Sequence, residues 1–101
     1  MVKSHRLTIA DDMNIYHVGE QKQQLIDALA QHKALELDLS QVEQIDTAGL
    51  QLLILVKREA LRLGKEIRIT AHSQAVREII DFCHLAVYFG DPVVITAGER
   101  R

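Results

Sequence analysis

Between Ala34 and Gly64 the spacing of apolar residues changes from two to between three and four, with only a short polar loop separating the two patterns. Leu35, Leu37 and Leu39 alternate with Glu36 and Asp38, the period of a strand with one face buried and one face wet. From Ala48 to Leu63 the apolar residues fall at helical spacing, and Gly64 stands where a helix end takes a left-handed residue. The expected core face of that helix is Leu50, Leu53, Ile54, the stem of Lys57, Ala60 and Leu61. A parallel sheet covered on both faces would read as a continuous apolar run. The alternation at 34–40 therefore predicts helices chiefly on one side.

The remaining chain supplies more elements of the same kind. Leu7 and Ile9 mark a short first strand that ends at an Asp11–Asp12 turn, and Met13 to Ile15 a brief second one. Val18, Leu25, Ile26, Leu29 and Ala30 share a helix face, closed by His32 and Lys33. Ile67 to Ile69 reads as a strand. Ser73 is placed to cap a helix carrying Val76, Ile79, Ile80 and Cys83 on its apolar side. Val87 to Phe89 suits a last edge strand, and Val93 to Ile95 an apolar tail. The alternation of strands and helices predicts an α/β fold: one domain over residues 1–101, its core at about 6–90 and a C-terminal tail at 91–101. A mixed sheet of about four to five strands is expected, with helices mainly on one face. A chain of 101 residues, 48% of them apolar, can build one such core and not two.

Composition narrows the function. Twelve basic residues against fourteen acidic ones leave a formal charge of -2, which offers no footprint for nucleic acid or for an anionic membrane. Lys57, Arg58, Arg62 and Lys65 follow helical spacing and read as a solvated helix face. Leu50 to Val56 is far shorter than the ~20 residues of a membrane span, and Met1 to Ala10 lacks the apolar run of a signal peptide. No membrane insertion is expected. Cys83 is the single cysteine, so no internal disulfide can form, and a cytoplasmic location is predicted.

Constellations for catalysis are weak. His5, His17, His32, His72 and His84 contain no i,i+4 pair, and Cys83 with His84 has no CxxC companion. Asp81, Cys83 and His84 would point around most of a helix circumference, and Cys83 itself is expected to be a buried structural thiol. The five glycines are isolated and form no phosphate loop. Glu36 and Asp38, roughly 7 Å apart on one strand face, read as solvated carboxylates. Tyr16, Phe82, Tyr88 and Phe89 are too few to stack single-stranded bases. No enzyme, cofactor or metal site is expected.

One stretch is left, Asp38-Leu39-Ser40-Gln41-Val42-Glu43-Gln44-Ile45-Asp46-Thr47-Ala48-Gly49-Leu50. Asp46 suits an N-cap, because its carboxylate can accept from free amides of the first turn. Thr47 then becomes the first helical residue, with its hydroxyl at the tip of the loop. Gly49 costs a helix roughly 1 kcal/mol against alanine. Physically it reads either as a tight packing spot beside an ordinary cap or as a clear approach for a macromolecule.

The stretch resembles the signature of STAS domains, the sulfate-transporter and anti-sigma-antagonist family, over a chain likeness from about Leu7 to Gly90. That resemblance implies a binding module similar to the bacterial anti-sigma-factor antagonists. In those, the Ser or Thr directly after the aspartate is phosphorylated by a partner serine/threonine kinase. The matching position is Thr47. The implied partners are an anti-sigma factor or such a kinase, with a possible phosphatase, and the implied surface is Asn14, Asp46, Thr47, Ala48, Gly49 and Leu50. Two departures stand out. Asp11-Asp12-Met13-Asn14 replaces the family's Gly-Glu-Leu-Asp, putting Asn14 at an acidic position, and Ala48 replaces a second hydroxyl found in several antagonists. Relatives that are never phosphorylated imply an alternative: a constitutive accessory subunit of a lipid-transporting ABC system or a chemosensory assembly, with Thr47 as a fixed contact.

Overall fold

Elements follow one another as β1 (His5–Thr8), α1 (Val18–Gln31), β2 (Ala34–Leu39), α2 (Thr47–Arg62), β3 (Glu66–His72) and α3 (Gln74–Phe82). This is a computed structural model, and it describes residues 4–83. The three strands form one sheet in the order β1-β2-β3, and both pairings are parallel. Leu7 lies opposite Leu37, and Leu37 opposite Ile69, so the apolar rows line up across the sheet. The register slips between Leu37 and Asp38, where β3 carries Thr70 as an extra residue. Parallel neighbours are joined by right-handed crossovers in nearly all proteins. Two such crossovers stepping in the same direction place α1 and α2 on the same face.

That face holds the core. Leu35, Leu37, Leu39, Ile67 and Ile69 are buried from the sheet, with Leu25 and Leu29 from α1 and Leu50, Leu53 and Val56 from α2. Val76 and Ile80 of α3 complete it. On the opposite face Glu36 and Asp38 are half-buried and Arg68 and Thr70 exposed. Arg6 lies against the two carboxylates, 4.0 Å from Glu36 and 3.4 Å from Asp38. Among the described residues, the cover over these two is an arginine rather than a helix.

The helix ends obey local rules. Ser73 Oγ accepts from the Val76 amide at 3.2 Å and caps α3. Gly64 has φ +70°, and α2 closes with Gly64 N–H donating to Leu61 and Lys65 N–H to Ala60, at 3.2 and 2.8 Å. These are the two bonds of a left-handed helix stop. α1 has no side-chain cap. Its first amides, His17 and Val18, donate to the Asn14 carbonyl instead.

Four expectations are corrected. The described sheet has three strands, fewer than four to five; the proposed strand at Val87–Phe89 and the tail at 91–101 lie outside the described residues. Met13–Ile15 is not a strand but a single parallel bridge from Met13 to Ile45, because the chain turns at once into the Asn14 carbonyl contacts that start α1. On α2, Leu52 and Val56 are buried while Leu61 is 63% exposed, so the inward arc runs about one residue away from the expected stripe. Cys83 is exposed rather than buried, since α3 ends at Phe82 and the thiol sits past its apolar face.

Candidate functional site

The two connections that leave β1 and β2 meet at the carboxyl ends of the strands, the edge where parallel α/β sheets present their ligand sites. Asp12 Oδ1 accepts from the amides of both Glu43 and Gln44, at 3.1 and 3.0 Å. Met13 donates its amide to the Gln44 carbonyl, and Asp46 donates its own to the Met13 carbonyl, at 3.0 and 3.1 Å. Behind this latch Gln21, almost fully buried, donates from Nε2 to the Asp12 carbonyl at 3.1 Å. Val42 and Met13 fill the space beneath, both fully buried.

Asp46 sits at the centre. One carboxylate oxygen accepts from the Gly49 amide at 3.1 Å, the N-cap bond expected from sequence, and the other faces the Ile15 amide at 3.4 Å. The side chain therefore ties the start of α2 to the segment before α1. Thr47 is the first residue of α2 and is exposed. Its hydroxyl stands at the positive end of a sixteen-residue helix, where anionic groups are stabilised by roughly 0.3–1 kcal/mol. Asn14 is half-buried, and its Oδ1 accepts from the Tyr16 amide at 2.9 Å. That turn places Ile15 and Tyr16, 69% and 87% exposed, next to the Asp46 contact.

The six residues expected to form one surface are thus divided. Asp46 and Thr47 face solvent, and Asn14 and Ala48 are partly accessible. Gly49 and Leu50 are buried and drop out of any docking surface, because the helical turn carries them toward the core. Gly49 does not clear an approach either. A Cβ there would lie 2.3 Å from the Met13 carbonyl oxygen and 2.9 Å from Ile45 Cγ1. Its absence lets the first turn of α2 close on the Met13 backbone, so the tight-packing reading holds. Sequence reasoning missed Asp12, Ile15 and Tyr16. An Asp-Asp turn and two scattered apolar residues carry no signal of the loop that they meet in space.

Other constellations stay apart. No group of three His, Cys, Asp or Glu that could hold a metal occurs among the described residues. Asp38 is kept below the usual carboxylate range, first by the Ser40 hydroxyl, then by the Ser40 amide and by Arg6. It remains ionised and is no candidate acid. None of the helices among the described residues is long and apolar enough to cross a membrane.

A family model described as "Mlab, STAS domain" matches residues 2–89. The chain belongs to the STAS family. Its fold also superposes on a solved structure described as the anti-sigma factor antagonist SpoIIAA in its unphosphorylated form. The TM-score is 0.70 at 14% identity, covering 87% of this chain and 78% of that one. At that identity the likeness is one of fold. This STAS domain is thus an α/β module that shares that fold, and the Asp46–Thr47 pair opens its second helix.

Proposed function

We propose that this STAS domain is a non-enzymatic binding module that acts in the cytoplasm, docks a protein at the N-terminus of α2, and is switched by phosphorylation of Thr47. The partner is an anti-sigma factor or related serine/threonine kinase, with a phosphatase to reset the switch. One observation carries the reading: Thr47 is exposed on a loop platform latched from two sides, while the neighbouring carboxylate of Asp46 is committed to backbone amides. A kinase can reach the hydroxyl without disturbing the fold. The phosphate adds about -1.5 to -2 charges beside Asp46, on ground that a docked partner would desolvate. A helix N-terminus tolerates that charge, so the cost falls on the interface. A tenfold loss of affinity needs only about 1.4 kcal/mol.

The test is a pull-down from the native cell with Thr47→Ala and Thr47→Glu, together with mass spectrometry of the wild-type chain. Thr47→Ala is expected to hold its partner permanently, and Thr47→Glu to release it while remaining folded. Equal capture by both variants, with Thr47 never phosphorylated, sinks the switch. A second reading then stands: a constitutive accessory subunit of a transporter or chemosensory assembly, in which Thr47 is a fixed contact. The observation that favours it is the family match itself, which is to the Mlab type of STAS domain, whereas the SpoIIAA likeness is one of fold.

A further inference from the structure

α1 and α2 leave a groove of about 390 Å³ between them, and Ala48 and Arg58 both line it. Its lining is apolar at Val18, Leu52 and Leu55, and Leu55 is 37% exposed. Lys22 from α1 and Arg58 from α2 flank it, and no acidic side chain lines it among the described residues. Both cations are exposed, and neither is in any ion pair of the described residues. The groove is thus greasy inside and positive at the rim.

Gly19 adds an independent observation. It stands in the first turn of α1, where glycine costs roughly 1 kcal/mol against alanine. Unlike Gly49, it has no packing reason to be there, since a Cβ on Gly19 would meet nothing within 4 Å. It does line the groove, as does the small Ala48 from the other helix. Small residues on both walls let a third backbone settle close. The stretch of α2 from Ala48 to Arg58 is ~15 Å long at helical rise, which matches about three turns of a partner helix.

We propose that this groove seats an amphipathic helix of a partner protein, apolar along its inward side and acidic where it faces Lys22 and Arg58. Apolar anchors in such a groove supply affinity, and the charges set orientation and exclude basic partners. For Thr47 the inference rests on the switch proposed above and explains its sign. Thr47 lies one turn before the groove-lining Gln51 on the same face of α2, so a phosphate there would repel an acidic helix at the groove's end.

The experiment places a benzophenone amino acid at Gln51, which lines the groove, in the full chain in its native cell, with Arg68 on the open sheet face as control. The expected product joins Gln51 to a partner segment with helical apolar spacing and interspersed Asp and Glu. Lys22→Glu with Arg58→Glu should cut the yield at least about tenfold, since both rim charges then repel. Gly19→Gln should cut it comparably while leaving the urea midpoint no lower than wild type. The proposal is overturned if the crosslink joins Gln51 to residues 84–101 of the same chain, to a second copy or to a basic segment. A yield no higher than at Arg68, or one indifferent to charge reversal, also overturns it. The two ideas fail separately. Crosslinks from Ile15 with none from Gln51 remove the groove and leave the switch; an intact Gln51 crosslink with Thr47 never phosphorylated does the reverse.

Discussion

Gly49 and Gly19 both occupy the first turn of a helix, yet neighbours make them opposites. At Gly49 any side chain must displace the Met13 carbonyl, 2.3 Å from where a Cβ would lie, and backbone cannot yield as a flexible side chain can. Overpacking of this kind costs about 1–3 kcal/mol, more than the ~1 kcal/mol that alanine adds to a helix. Gly49→Ala is therefore expected to lower the urea midpoint, while Gly19→Ala, with open space around it, raises it. Equal shifts in one direction would show that propensity alone governs both sites. The difference was not legible in the sequence, where each is a lone glycine near the start of a helical pattern. The place of Thr47 as the exposed first residue of α2 was legible, because it follows from a neighbour in sequence, the capping Asp46.

At the level of elements, the platform under Thr47 depends on a latch between two connections rather than on either helix. Asp12 holds the Glu43 and Gln44 amides, and Met13 exchanges backbone bonds with Gln44 and Asp46. Losing the Asp12 carboxylate leaves two amides to water and should cost about 1–2 kcal/mol. For Asp12→Ala, hydrogen exchange is expected to quicken at Glu43 and Gln44 while the β2 amides keep their protection. Asp12→Asn retains an acceptor oxygen and should lose less. If exchange in the 43–46 loop is unchanged in Asp12→Ala, the latch is not what orders the platform. Periodicity marked α1, β2, α2 and β3 well, since helical and alternating patterns are local. It misread Met13–Ile15 as a strand because two apolar residues spaced by two look the same whether the segment pairs once or continues.

For the whole molecule, crossovers stepping in one direction leave a polar sheet face on which, among the described residues, Arg6 lies against Glu36 and Asp38. Asp38 lies on it with its pKa lowered, first by the Ser40 hydroxyl. A carboxylate whose folded pKa is depressed adds stability above its unfolded value of about 3.9 and loses it as pH falls through the folded one. Wild type should therefore exceed Ser40→Ala in urea midpoint at pH 7, and the gap should close as the pH drops below about 4. A gap that persists in acid would mean that Ser40 acts apart from the Asp38 charge. The sequence by itself determined the strand with one wet face, the caps at Asp46 and Ser73, the stop at Gly64 and the signature around Thr47. Each depends on residues within a turn or a strand repeat of one another. Only the tertiary structure decided that Leu52 and Val56 face the core instead of Leu61. The closeness of Gly49 to Met13, the placing of Asp12 under the loop and the groove between α1 and α2 were decided there too. Those outcomes depend on contacts between distant segments, and such contacts exist only once the crossovers have set the helices side by side.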